Sequence, residues 1–213
     1  MASTATPYGF KAVNELGGLP YAGSTRQFPI DPAGYGTNIF NGSLVYVAAT
    51  GYLQIATSTG ADDSTNGFPT GTANTGCVGV FVGCTYTNAQ GQVIYAQYYP
   101  SGYVAPTGTT VTAYVIDDDR AVFQVQANGT VTFAALGANT FLSAVQSTST
   151  GSTTTGNSTT SVVLGSSAKA STAAFRIIGF VDMQGFSTVG DAYTDILVKF
   201  NPGYHSYSNA VGL

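Results

Sequence analysis

Residues Thr110 to Phe133 read TVTAYVIDDDRAVFQVQANGTVTF, and this stretch decides the fold class. Val111, Ala113 and Val115 share one face of a period-two pattern, with Tyr114 and Ile116 on the other. β-Branched and aromatic residues at that spacing specify a strand. The run Asp117-Asp118-Asp119 stops it, and after Arg120 the alternation resumes with Phe123 and Val125 opposed by Gln124 and Gln126. Asn128-Gly129 then supplies turn residues. A two-residue turn would set apolar against polar side chains, whereas a three-residue loop, Ala127-Asn128-Gly129, pairs Val125 with Val131 and Phe123 with Phe133. The expectation is a small antiparallel meander with one apolar face, which needs a cover.

Working outward, SLVYVAATGYLQI (43–55) reads as two strands around Thr50-Gly51. A hairpin follows, from Val78 to Tyr86, through a turn on Asn88-Ala89-Gln90-Gly91, to Val93–Tyr99. AFRIIGFVDM gives another strand, and residues 184–190 a turn. YTDILVKF (193–200) gives the last strand, apolar on both sides and therefore interior to a sheet. Residues 56–76 are a loop by composition, and the Asp62-Asp63 pair within it lacks the ligand ladder of a calcium site. A short helix is possible around Ser166–Ala174, and PGYHSYSNAVGL forms a tail. Residues 146–161, QSTSTGSTTTGNSTTS, read as an exposed Ser/Thr-rich loop without core-forming capacity.

The first 43 residues carry closely spaced Gly and Pro between large apolar side chains. They suggest an extended arm, laid either over the chain's own core or over a neighbouring subunit. The fold class is all-β: an antiparallel sandwich or jelly-roll-like body over 44–213, the arm over 1–43, and the 146–161 loop.

Only 8% of the 213 residues are charged while 44% are hydrophobic, against roughly a quarter charged in an ordinary soluble domain. Such a surface suits contact with other protein. Six scattered basic residues within a net charge of −4 leave no phosphate-binding stripe, which argues against direct nucleic-acid binding. Neither a leader-like start nor a run of ~20 apolar residues is present, so neither export nor a membrane anchor is expected.

Candidate chemistry is sparse. Cys77 and Cys84 bracket an unbroken strand pattern, which would hold them roughly 23 Å apart, beyond the ~7 Å reach of a disulfide. Two buried free thiols fit a reducing compartment. His205 is the single histidine and lacks a nucleophile to serve. Adjacent strand-end carboxylates diverge, so Asp117-Asp118-Asp119 has turn duty, with Arg120 offsetting charge, and no glycosidase geometry. Too few Cys and His ligands exist for zinc, and Gly17-Gly18 lacks the context of a phosphate loop. No cofactor, metal or catalytic residue is expected, and no enzyme activity.

The blocks YGFKAVNELGG, RQFPI, GVFVGCTYTNAQGQVIYAQYYP, TVTAYVIDDDRAVFQVQ, FRIIGFVDM and GDAYTDILVKFNPGYH, in that order, resemble a family of small virion structural proteins of tailed bacteriophages, notably phages of aquatic bacteria and cyanobacteria. The resemblance implies a capsid cement or decoration protein on the outer face of the head. It would be made in the host cytoplasm, clamp neighbouring copies of the major capsid protein, and self-associate as a trimer or, second, a dimer. The expected interface residues are Phe10, Leu16, Leu19, Tyr21, Phe28 and Ile30 of the arm, with Tyr98 and Tyr99. The alternative is a tail-fibre or receptor-binding β module that recognises host glycan through Tyr98, Tyr99, Tyr103, Tyr204 or Tyr207. A wall-degrading hydrolase is the third and weakest reading.

Overall fold

The computed structural model describes residues 4–57, 76–163, 173–183 and 187–208. Two antiparallel sheets pack face to face, as the alternating pattern requires. The first is built from β1 (Lys11–Glu15), β8 (Ala121–Asn128), β12 (Asp195–Phe200), β11 (Phe175–Phe180) and β9 (Asn139–Thr140), in that spatial order. A two-residue strand, β10 (Val162–Val163), joins the far end of β8 in parallel. The second sheet runs β2 (Arg26–Ile30), β7 (Val111–Ile116), β5 (Gly79–Thr87), β3 (Leu44–Val47) and β4 (Leu53–Ile55), with β6 (Val93–Ala96) also paired to β5.

Apolar residues on both faces of the second sheet create two cores. Leu44, Tyr46, Val80 and Ile116 face the first sheet and meet Phe123, Val125, Ile177, Ile196 and Val198. Their strand neighbours Val45, Phe81, Val111, Ala113 and Val115 point the other way into a second cluster with Ile30, Ile39, Leu53, Ile55 and Tyr99. β2 comes back towards β4, so this sheet curls around that interior.

The strands expected at 43–55 and 78–99 form as hairpins. The last strand lies between β8 and β11, interior as its two apolar faces require. The acidic run makes the expected turn: the Asp118 carboxylate accepts from the Arg120 amide at 2.8 Å. Its charge is met differently from expectation, since Asp117 pairs with Arg26 at 2.7 Å while Arg120 donates to the Leu16 carbonyl.

The meander and its register are corrected. β7 and β8 lie in different sheets, and the acidic turn is the corner between them. Val125 sits beside Ile196 and Phe123 beside Val198, a wholly apolar pairing that a local return strand of Val131 and Phe133 does not match. Past Gly129 the chain runs on along residues 190–193, and Phe133–Ala135 form a single 3₁₀ turn with Phe133 exposed.

The arm covers its own core. β1 and β2 close one edge of each sheet, and Phe10, Ile30, Ile39 and Phe40 are fully buried. Gly9 and Gly42 permit this crossing, because a Cβ on Gly9 would stand 2.7 Å from the Gly42 carbonyl oxygen.

The Ser/Thr segment is exposed only in part. Residues 153–155 face solvent, but Ser158, Thr160 and Ser161 are buried. The segment folds back on itself through Ser152, Gly156, Asn157 and Thr159 backbone bonds. Gln146 is buried and bonds the Leu44 amide (2.9 Å), the Leu44 carbonyl (3.1 Å) and the Ala56 carbonyl (2.9 Å). Hydrogen bonding, which composition does not reveal, lets so polar a stretch enter the interior. The Asp62-Asp63 pair and most of the expected 166–174 helix lie outside the described residues.

Two outcomes check this account. Deleting residues 4–30 removes an edge strand from each sheet, so the truncated chain is expected to lose its cooperative thermal transition, whereas an appended arm would leave the melting temperature unchanged. Gln146→Leu takes the side-chain partner from the Leu44 amide and the Ala56 carbonyl, while the Leu44 carbonyl keeps the Ala56 amide, and chemical denaturation should show a loss of about 3 kcal/mol.

Candidate interaction surface

The first sheet covers only one end of the second sheet's inner face, and the remainder is bare. Thr85 stands beside Tyr95 on one flank and Thr112 on the other; Thr87 stands beside Val93. Tyr114 pairs with Gln27, and Thr112 with Pro29. Cys84 points into the second cluster, so by the two-residue period Thr85 and its lateral neighbours share the opposite, outer surface. Tyr95 is 79% exposed and Val93 58%. Gln27 and Pro29 are exposed, and Thr85, Thr87, Thr112 and Tyr114 half-buried. The Thr85 hydroxyl donates to the Tyr114 hydroxyl at 2.9 Å, which ties two of these side chains together. These eight residues carry no charge, and tyrosine gives them wide apolar plates with polar tips.

The interface residues expected from sequence are scattered. Phe10, Ile30 and Tyr99 are buried in the chain's own cores and offer nothing to a partner. The Tyr99 hydroxyl accepts from the Tyr35 amide at 3.0 Å and donates to the Tyr103 carbonyl at 3.1 Å. Phe28 is half-buried against the same core, Leu16 and Tyr21 are half-buried, and Leu19 alone of the set is well exposed. Tyr98 stacks on Phe40 at 5.6 Å. Of the other tyrosines, Tyr103 packs on Tyr86 and Tyr204 on the inter-sheet core. Tyr207 donates to Asp117 at 2.8 Å. They form no shared groove. Tyr95 and Tyr114 are not among the expected interface residues, although period two from Cys84 places Thr85 and Thr87 outward and so marks their lateral neighbours as a surface.

The histidine and both thiols lie in the cores and not on this surface. His205 is fully buried, so the expected C-terminal tail is part of the core as far as Tyr204–Ser206, which bond along Cys77. Its ring lies 5.2 Å from Phe200 and 5.3 Å from Tyr207, and Nδ1 accepts from the Tyr207 amide. Burial pushes the imidazole below its usual pKa, against a smaller opposite pull from Asp119, Asp117 and Asp118. Cys77 and Cys84 are free and buried, and burial raises both thiols to about 12. Among the described residues, no three His, Cys, Asp or Glu side chains gather where they could hold a metal, and no helix is long and apolar enough to cross a membrane. No protein-family model matches the chain, and no curated protein or solved structure shows significant similarity to it.

His205 gives stability a pH dependence of known sign. Below the ordinary imidazole pKa of about 6.5, the unfolded chain takes up a proton that the folded chain resists, so stability is lost as pH falls. Denaturation midpoints should decline between neutral pH and about pH 5, and His205→Phe should flatten that part of the decline. The same burial predicts that neither cysteine reacts with a disulfide reagent at pH 8 until the chain is unfolded.

Proposed function

We propose that this protein is a virion structural subunit of a tailed bacteriophage, a decoration protein that docks on the outer face of the head and bridges neighbouring major capsid proteins. The observation that carries the reading is the bare, uncharged face formed by β6, β5, β7 and β2, in a chain that has few charges anywhere. Docking a neutral face leaves no buried unpaired ion, whose desolvation otherwise opposes association. Apolar area removed from water contributes about 25 cal/mol per Å² before the entropic cost of association. Repetition over a closed shell turns a modest contact into a stable coat.

The sequence blocks that resemble phage structural proteins support the same role. Their GVFVGCTYTNAQGQVIYAQYYP segment supplies β5 and β6, TVTAYVIDDDRAVFQVQ supplies β7 and RQFPI supplies β2, so the resemblance runs through all four strands of that face. Self-association as a trimer is part of the proposal. Each copy would then present its neutral face to the shell at a site shared by several capsid proteins.

Tyr95→Glu combined with Val93→Lys places charges at two exposed positions and leaves the cores intact. The double variant should melt at the wild-type temperature and yet lose at least about tenfold in affinity for purified heads in co-sedimentation, the effect of roughly 1.4 kcal/mol. Counting copies in purified particles provides the second measurement. Many copies per head are expected; full occupancy by the variant, or a handful of copies confined to the tail, would overturn the reading.

A further inference from the structure

A second feature lies along the seam where the edge strand of the first sheet meets the uncovered part of the second. It is an open groove of about 560 Å³, within the size range of small-ligand sites. Its apolar surface comes from the half-buried Ala12 on one side and Val82 on the other, with the half-buried Tyr21 ring beside them and the buried Phe10 and Ile116 beneath. Three primary amides, Asn41, Gln97 and Asn157, supply the polar lining. We infer that this groove binds an uncharged saccharide, a function beyond docking on the head and on a separate surface.

The chemistry of the amides points to that class. Gln97 Nε2 donates to Asn157 Oδ1 at 2.7 Å, and Asn41 Nδ2 donates to the Val82 carbonyl at 3.3 Å. These bonds fix the side chains and leave them with both donor and acceptor capacity, because a primary amide has two donors and two acceptor lone pairs. A ligand matched to paired donors and acceptors above an apolar floor is itself amphipathic, with hydroxyls around its rim and C–H groups on its faces. A pyranose has that form. Among the described residues no carboxylate lines the groove, so they do not form the two-carboxylate arrangement of glycoside hydrolysis, and binding is what is inferred. Among the described residues Lys11 is the single charged one of the lining, and its ammonium sits 4.3 Å from the centre of the Tyr8 ring.

The walls are fixed before any ligand arrives. Three distant segments cross there: the Phe10 amide donates to the Gly42 carbonyl at 3.0 Å, Asn41 to Gly156 at 2.9 Å, and Ser158 to Asn41 at 2.8 Å. Gly156 adopts φ +73°, and a Cβ on it would lie 2.9 Å from Gln97 Cβ, so only glycine lets Gln97 settle over the loop. Such preorganisation lowers the entropic cost of ordering side chains around a ligand. It also gives the 146–161 segment a use, since that segment delivers Asn157 to the groove.

The test is binding of the full chain to a printed array of microbial glycans, followed by titration of the best neutral hit, with maltohexaose and laminarihexaose as fixed probes, monitored by NMR shifts. Wild type is expected to bind a neutral glycan at sub-millimolar to millimolar concentration. Gln97→Ala, at an exposed position, should weaken it about tenfold with an unchanged melting temperature, and Asn157→Ala should do the same. Tyr95→Glu, outside the groove, should leave it unaltered. Absence of binding to every neutral glycan, binding that Gln97→Ala and Asn157→Ala leave intact, or binding only to acidic glycans that Lys11→Ala abolishes would each overturn the inference.

Discussion

Four phenylalanines hold this structure together. Phe10 from the N-terminal segment lies 5.0 Å from Phe175 of β11 and 6.2 Å from Phe123 of β8, and Phe200 of β12 lies 5.0 Å from Phe175 and 5.9 Å from Phe123. The rings close a circuit through tilted and edge-on contacts, which aromatic pairs prefer and which add to simple burial. Three of them come from adjacent strands of one sheet. The fourth comes from far away in sequence and locks the start of the chain across them. Once Phe10 is seated, β1 follows along β8, and the Gly9–Gly42 contact draws the beginning of β3 onto the same crossing. The inter-sheet core and the groove both depend on that placement.

Polar side chains are drawn inside by the same crossing, and those of the 146–161 segment that enter there are bonded. Gln146 acts as a bracket between β3 and Ala56, and Ser158 and Thr160 bond to each other at 2.7 Å. The Tyr8 hydroxyl lies close to the Asp195 carboxylate on the outer side of the first sheet. Burial and that carboxylate hold its phenol well above the usual range. Buried hydroxyls and amides without partners cost stability, whereas bonded ones fix a single arrangement. A Ser/Thr-rich segment therefore serves as a rigid wall here.

The surface divides by chemistry. One part of the second sheet is uncharged and rich in threonine and tyrosine, which suits a broad neutral partner. Beside it runs a narrower groove with amides above an apolar floor, which suits a small amphipathic one. His205 and both thiols, the groups most able to react, sit in the cores with protonation states shifted away from activity.

Period-two alternation was enough to define the all-β class, the strands from β3 to β8 with β11 and β12, and the opposed faces of β7 and β8, because each of those properties is fixed by residues within one strand; β1 and β2, in the segment expected as an irregular arm, were not marked by it. Turn residues likewise marked the hairpins at Thr50-Gly51 and Asn88–Gly91. Which strands become neighbours was not readable, since β8 prefers Ile196 and Val198, about seventy residues on, to the local Val131 and Phe133. That preference follows from total burial, which only the assembled molecule defines. The candidate surfaces were legible for the same reason only in part. The sequence marked Tyr98 and Tyr99 as aromatic and the first 43 residues as apolar. Tertiary packing then buried Phe10 and Tyr99, exposed Tyr95, and brought Asn41, Gln97 and Asn157 together from three segments that share no sequence signal.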